Sequence, residues 1–295
     1  MPQTKSSVFS IKSTYVLPTT HRHEYSKTPT SSSTIQIIVP PNQNNNNVRR
    51  SANYQPSTWR YEDIQSLTTQ YGEESYVEER EGLKEEVRMM ISKMEDNERL
   101  QLELIDALQK LGVASHFMVE ISGILQNVYT NNQNQNDLYA TALQFRLLRQ
   151  HGYHVSSEIF RRFQDDEGEF NNTQELWKDI EGMVELYEAS FHGMEGESIL
   201  DEATHFCSNL LKEYVDEKKK KEMKNERSVE LVSQALEIPL HWRVPRLESI
   251  WYIQFYQKED QKKSAIITPA LLQLAKLDFN IVQATHQQDL KHISR

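Results

Sequence analysis

Apolar residues recur at steps of three and four along most of the chain beyond residue 76. In the stretch EEREGLKEEVRMMISKM, Leu83, Val87, Met90, Ile91 and Met94 follow this spacing, with charged residues between them. Such a period is typical of amphipathic helices. RLQLELIDALQKLGV, ELWKDIEGMVELYEASF and SILDEATHFCSNLLKEYV repeat it, and no series of strands is recognisable. The pattern therefore predicts an all-α fold, built from antiparallel helix pairs joined by short loops.

Turn and capping residues predict where these helices begin and end. Gly112 follows one apolar pattern, and LYATALQFRLLRQHG lies between Asp137, a suitable N-cap, and Gly152, a suitable stop. The charged stretch DEKKKKEMKNER predicts a solvated linker. A last amphipathic helix is expected from Pro269 to the end of the chain.

Composition limits the classes of protein to which the chain can belong. Hydrophobic residues make up 37% of the 295 positions, and no apolar run approaches the roughly eighteen residues of a membrane span. The single cysteine, Cys207, excludes an internal disulfide framework and is expected to be a buried structural thiol.

The N-terminal segment differs in charge from the rest of the chain. Residues 1–50 contain six basic residues and one acidic residue, and the net charge of −10 for the whole chain leaves −15 for the remainder. An acidic body argues against nucleic-acid binding. The first 48 residues are also rich in hydroxyl side chains and lack an apolar core, as in organelle transit peptides. An ordinary disordered tail is the alternative.

An acidic cluster, DDEGE, is one candidate metal site. Asp165, Asp166, Glu167 and Glu169 could supply oxygen ligands to a divalent cation, but Gly168 and two following asparagines favour a surface loop.

Two carboxylate-x-x-His pairs form a second candidate. Glu202 with His205, and Asp289 with His292, could contribute to a di-iron site if they lay on facing helices. No further carboxylates that would complete such a site are evident in the sequence. Histidines with an ordinary surface or core role are therefore the favoured interpretation.

A series of sequence blocks resembles the plant terpene synthases, in particular the plastid monoterpene synthases. In RRSANYQPSTW, eight residues separate the pair Arg49 and Arg50 from Trp59, directly after the basic leader, as at the start of the mature enzymes. LELIDALQKLGVASHF, ALQFRLLRQHGYHVSSEIF, IPLHWRVPRLESIWYI and LLQLAKLDFNIVQATHQQDLKHISR follow in the family's order. The resemblance extends from about residue 49 to the C-terminus.

This resemblance implies a particular division of the chain. Residues 1–48 would form a disordered, transit-peptide-like leader, and residues 49–258 an N-terminal α-barrel domain. Residues 259–295 would begin an isoprenoid-synthase domain of which only about the first helix is present. Arg49, Arg50 and Trp59 would belong to a lid over the substrate. A plastid location follows from the same likeness, with the cytosol as the alternative.

The resemblance also implies a chemistry that needs residues beyond those found here. Family members ionise a prenyl diphosphate with Mg²⁺ or Mn²⁺, held by an Asp-Asp-x-x-Asp motif and a second metal-binding motif. Neither motif occurs in the chain, and the Asp-x-Asp-Asp run of protonation-initiated cyclases is also missing. No metal ligand or catalytic residue can be placed, so the chain alone is expected to be inactive. Geranyl diphosphate is the expected substrate of the complete enzyme, with farnesyl diphosphate as the alternative.

A non-catalytic helical module that pairs with a full-length synthase is the alternative function. It is motivated by the last helix, 269–295, whose apolar residues are expected to be exposed and available for association. These residues are Leu271, Leu274, Ala275, Leu277, Phe279, Ile281 and Val282.

Overall fold

The computed structural model describes residues 59–94, 97–131, 137–170, 179–221, 226–258 and 266–294. Within these ranges the regular structure is helical and contains no strand, which confirms the all-α prediction. The α-helices are α1 (Tyr61–Gln65), α2 (Glu74–Ser92), α3 (Glu98–Lys110), α4 (Met118–Asn131), α5 (Leu138–Gln150), α6 (Ile180–Ser190), α7 (Ser198–Lys220), α8 (Arg227–Glu237), α9 (Pro245–Gln257) and α10 (Pro269–Ile293). Short 3-10 helices cover Ala114–Phe117, Ser157–Phe163 and Leu240–Trp242.

The helix ends follow the capping residues of the sequence. Asp137 Oδ1 accepts a hydrogen bond of 2.8 Å from the backbone N–H of Ala140, which satisfies a free donor in the first turn of α5. Gly112 and Gly152 lie just beyond α3 and α5, with φ angles of 76° and 83°. Glycine adopts this left-handed conformation without the steric cost that a Cβ would bring. The predicted ends of α3 and α5 are therefore confirmed.

The prediction of a solvated linker from Asp216 was wrong over its first part. Helix α7 continues through this stretch and ends at Lys220. Lysine and glutamate favour helix, and three lysines in the last turn interact favourably with the negative end of the helix dipole. Lys218 Nζ also donates to Glu226 Oε2 at 2.7 Å, which connects the end of α7 to the residue before α8.

Among the described residues, buried apolar side chains form two hydrophobic clusters, and α5 contributes to both. The first cluster contains buried residues of α2, α3, α4, α9 and α10, together with Leu143 and Leu147 of α5. The second contains buried residues of α6, α7 and α8, together with Ala142 and Phe145 of α5. A helix covered on most sides by apolar neighbours lies inside the fold rather than on its surface. Helix α5 is therefore the central element.

The last helix is part of the first cluster, which corrects the expectation of an exposed apolar surface. Helix α10 packs against α2, and Leu271, Leu274 and Ala275 are completely buried. Leu277 and Ile281 are buried as well, whereas Phe279 and Val282 are only partly covered. The sequence pattern identified the apolar face of α10 correctly. It could not show that α2, distant in sequence, would cover that face.

A buried carboxylate fixes α10 to its surroundings. Asp278 Oδ1 lies 2.8 Å from His116 Nε2, and Asp278 Oδ2 accepts a hydrogen bond of 2.9 Å from Arg246. Burial opposes the charge of this carboxyl group, but the hydrogen bond from His116 and the guanidinium of Arg246 hold its pKa below the ordinary value. The contact joins α10 to α9 and to the turn before α4.

The described residues belong to one compact unit. The proposed boundary between residues 258 and 259 stays a prediction, although α10 shares its core with α2, α3 and α9. The predicted leader, 1–48, lies outside the described residues. Of the helices that are described, none is long and apolar enough to span a bilayer.

Candidate functional site

A network of buried charges connects three helices at the centre of the fold. Arg146 of α5 is 1% exposed and donates from its Nη2 to Asp106 Oδ1 of α3 at 2.6 Å. Its Nε donates to Glu185 of α6. Lys110 Nζ, one turn along α3, donates to Asp106 Oδ2 at 2.6 Å. Two cations therefore balance two carboxylates, and this pairing offsets part of the desolvation cost of burying such groups.

A cavity of about 550 Å³ adjoins this network. Its walls come from α3, α5, α6, α8, α9 and the segment before α10, so the cavity lies where the two hydrophobic clusters meet. Tyrosines line it together with charged side chains. The central lining residues are Asp106, Lys110, Tyr139, Glu185, Glu188, Arg243, Tyr252 and Tyr256.

Glu188 is a buried lining carboxyl group whose ionic contact is longer than those of Asp106 and Glu185. Its Oε2 accepts a hydrogen bond of 2.6 Å from the backbone N–H of Leu240, and its Oε1 lies 3.6 Å from Arg243 Nη2. Arg243 also approaches Glu248 Oε2 at 3.2 Å. Burial raises the pKa of Glu188 to about 7, although the charge of Arg243 acts in the opposite direction.

This interior is suited to stabilising the fold and does not fit a magnesium–diphosphate cluster. The central charges Asp106, Lys110, Arg146 and Glu185 are already paired within the protein. Among the described residues, no group of three or more His, Cys, Asp or Glu side chains is arranged to hold a metal ion. The family's expected cofactor therefore has no set of ligands in this part of the chain.

The acidic cluster DDEGE forms an exposed turn. Asp165 Oδ1 accepts hydrogen bonds of 3.0 Å from the backbone N–H groups of Glu167 and Glu169, and Gly168 has a φ angle of 85°. The carboxylate of Asp165 thus organises its own loop. The surface-loop interpretation of this segment is confirmed.

The two carboxylate-x-x-His pairs lie apart from any site. Glu202 and His205 are exposed on α7, and Asp289 and His292 are exposed on α10. The buried faces of these helices belong to different hydrophobic clusters. The di-iron hypothesis is therefore wrong, and these histidines are surface residues. Cys207 is completely buried, and burial raises the pKa of its thiol, in agreement with a structural role.

The predicted lid residues fall at the edge of the described structure. Arg49 and Arg50 lie outside the described residues, so their position and role stay predictions. Trp59 is the first residue that is described, and it is exposed.

Comparison with known proteins identifies the family. The model of the terpene synthase N-terminal domain matches residues 58–236, which is more than half of the chain. The chain belongs to the terpene synthase family. The chloroplastic myrcene synthase of Quercus ilex is 49% identical over 252 residues, which cover 84% of this terpene synthase chain and 40% of the relative.

Solved structures agree with this assignment. Limonene synthase, solved with 2-fluorolinalyl diphosphate, superposes with a TM-score of 0.72 at 38% identity, over 81% of this chain and 43% of that one. Isoprene synthase from grey poplar leaves (Populus x canescens), solved with three Mg²⁺ ions and dimethylallyl-S-thiolodiphosphate, gives 0.67 at 38% identity, over 81% and 43%. This terpene synthase chain thus spans less than half the length of these relatives.

Sequence reasoning missed the buried charges at the centre of the fold. Arg146 stands in the run LQFRLL, and Glu185 and Glu188 stand in GMVELYEASF, all among apolar residues. A charged residue at a core-facing position of a helical period is a detectable signal. It shows that the residue needs a partner, but it does not identify which helix supplies that partner.

Proposed function

We propose that this chain forms the N-terminal helical part of a plastid monoterpene synthase, which converts a prenyl diphosphate to a monoterpene. The match of residues 58–236 to the terpene synthase N-terminal domain carries this proposal. The basic, hydroxyl-rich leader supports a plastid location, as does the chloroplastic Quercus ilex relative. A fluorescent protein fused behind residues 1–50 should enter plastids; fluorescence confined to the cytosol would contradict the location.

The proposed reaction is ionisation of geranyl diphosphate, followed by rearrangement of the carbocation. Bound Mg²⁺ would neutralise the diphosphate as it leaves. The described residues contain no suitable ligand set, so we assign metal binding to the additional length that the relatives possess. Arg49, Arg50 and Trp59 are proposed to contribute to a lid that keeps water away from the cation.

The direct test compares the chain alone with a chain of full family length. The purified chain, incubated with geranyl diphosphate and Mg²⁺, should give no monoterpene by gas chromatography. The same chain joined to the C-terminal half of the Quercus ilex myrcene synthase should give product that disappears with a chelator. The C-terminal half expressed without this chain is the control. Chelator-sensitive turnover by the isolated chain would overturn the proposed location of the metal ligands.

A further inference from the structure

Two tyrosine hydroxyls in the cavity beside the buried charges have no hydrogen bond within the protein. Tyr139 of α5 and Tyr256 of α9 both line this cavity. Neither hydroxyl has a hydrogen-bond partner within the part of the chain that the structure describes. Burial raises the pKa of both phenols, so each stays neutral and keeps a proton to donate. Two unused donors in one cavity indicate a ligand that accepts hydrogen bonds.

Lys110 supplies further donors to the same part of the cavity. Its Nζ donates to Asp106 Oδ2 at 2.6 Å, and an ammonium group carries more than one N–H. The charges of Lys110 and Asp106 both act on the phenols of Tyr139 and Tyr256, so the two hydroxyls lie near this ion pair. The donors of three side chains therefore converge at the inner end of the cavity.

Much of the remaining wall is apolar. Leu100 and Ala107 of α3, Val184 of α6, and Leu231 and Ala235 of α8 line the cavity. Ligand cavities typically combine such walls with a few convergent polar groups, at volumes of about 300–1,000 Å³. The volume of about 550 Å³ lies within this range. A molecule with a carbon skeleton and one polar end matches this lining better than water alone.

The aromatic rings of the cavity are already paired with cations of the protein. Lys110 Nζ lies 5.5 Å from the ring centroid of Tyr252, and Arg227 Cζ lies 4.0 Å from that of Phe255. Aromatic rings attract a ligand cation through their faces. A cationic ligand would here meet the charges of Lys110 and Arg227 as well, which disfavours its binding.

Carboxylates in the same wall disfavour an anionic ligand. Asp106, Glu185 and Glu188 line the cavity and are buried. Like charges repel strongly where little water screens them. A neutral ligand avoids both repulsions.

We propose that this cavity binds a small neutral alcohol. Its oxygen would accept hydrogen bonds from Tyr139 and Tyr256, and its carbon skeleton would contact the apolar wall. Its own O–H would donate to a buried carboxylate oxygen, for which Glu188 is available in the same cavity. The proposal is independent of the reaction proposed above, because it involves only residues of this chain.

Three compounds of similar size and different charge test the chemical class. The dissociation constants of 2-phenylethanol, 2-phenylethylammonium and phenylacetate are measured at pH 7 by ligand-observed NMR with the purified chain. We expect saturable binding of 2-phenylethanol at one site. Both ions should bind at least tenfold more weakly, because each meets a like charge in the wall.

Variants that remove a single hydroxyl test the site. Tyr139→Phe and Tyr256→Phe should each weaken 2-phenylethanol binding by about threefold to tenfold, the usual value of one hydrogen bond. Both variants should unfold at the same urea concentration as the unmodified chain, because the lost hydroxyls have no protein partner. Tyr129→Phe is the matched control, since Tyr129 lines a separate cavity of about 660 Å³, and should change the affinity by less than twofold.

Several results would overturn the proposal. They are the absence of saturable 2-phenylethanol binding, tighter binding of either ion, and unchanged affinity in both cavity variants. A loss of affinity confined to Tyr129→Phe would assign the ligand to the other cavity. If the tyrosine variants do not fold, Leu231→Trp gives a second readout. It places a larger side chain in the α8 wall and should weaken binding at least tenfold, and unchanged affinity would contradict the site.

Discussion

Substitution of Gly112 and of Gly82 by alanine should change the stability of the protein in opposite directions. Gly112 has a φ angle of 76°, and a Cβ added there would lie 3.2 Å from Ser249 Cβ. Gly82 lies inside α2, and a Cβ added there would meet no atom within 4 Å. We expect Gly112→Ala to destabilise the protein by about 1–3 kcal/mol. Gly82→Ala should stabilise it by about 0.5–1 kcal/mol, because alanine favours helix. Urea unfolding followed by circular dichroism measures both, and shifts of the same sign would contradict the assigned conformations.

Glu188 should make stability depend on pH. Its pKa of about 7 in the folded protein lies above the ordinary value of 4.5, so between these values the unfolded chain releases a proton that the folded chain keeps. The contribution of Glu188 to the free energy of unfolding is therefore greatest below about pH 4.5. It falls by about 3 kcal/mol at most as the pH rises to about 7.

The Glu188→Gln variant tests this pH dependence, since glutamine stays neutral throughout. Relative to the unmodified protein, it should gain stability as the pH rises from about 5 to about 7. Glu181→Gln, at an exposed position of the same helix, is the control and should follow the unmodified protein. If the free energy of unfolding of all three proteins changed with pH in the same way, the raised pKa of Glu188 would be contradicted.

At the level of elements, α10 shows how a correctly identified helix can be assigned the wrong surroundings. Its apolar stripe predicted the buried side of the helix, and the structure covers that side with α2. Gln273 Nε2 also donates to Glu79 Oε1 at 2.7 Å, across 194 positions of sequence. Because of this packing, α10 contributes to the stability of the described unit.

Substitution of Leu274 measures how firmly α10 is packed. Leu274 is completely buried, so Leu274→Ala should cost about 2–5 kcal/mol through lost burial and the cavity that remains. Lys276→Ala, at an exposed position two residues further on, should change stability by less than about 0.5 kcal/mol. Equal, small effects in urea unfolding would indicate that α10 is detached from α2.

Across the whole molecule, Arg146 joins helices that belong to the two hydrophobic clusters. Its partners lie on α3 and α6, so its removal leaves Asp106 and Glu185 buried without this cation. Arg146→Met should therefore destabilise the protein by about 3–5 kcal/mol. The double variant Arg146→Met, Glu185→Gln removes the stranded charge of Glu185, while Asp106 keeps Lys110 as its partner, and it should recover much of that loss. Unfolding free energies from urea titrations test this, and a double variant no better than the single one would contradict the role assigned to the charges.

Two sets of charged side chains in the molecule differ in their exposure. The central charges are paired with one another in the interior, whereas Arg80, His116 and Arg246 surround Asp278 and remain partly exposed. Substitutions at Arg146 and at Arg246 should have independent effects on stability, because their ionic partners are different residues.

The sequence by itself determined the features that depend on neighbouring residues. The helical period, the Asp137 cap and the Gly112 and Gly152 stops predicted the elements, because each involves contacts within a few positions. The ordered blocks identified the family for the same reason, as they can be recognised without knowledge of the packing. The extension of α7 to Lys220 is a local feature that the sequence prediction missed. The run of lysines suggested a solvated linker, although lysine also favours helix.

Only the tertiary structure decided which groups meet. Arg146 and Asp106 are 40 positions apart, and no local pattern shows that they pair. Nor could the sequence show that α2 covers the apolar side of α10. An amphipathic pattern states that a helix face will be buried, because burial removes apolar surface from water. Which helix buries it depends on how the whole chain packs.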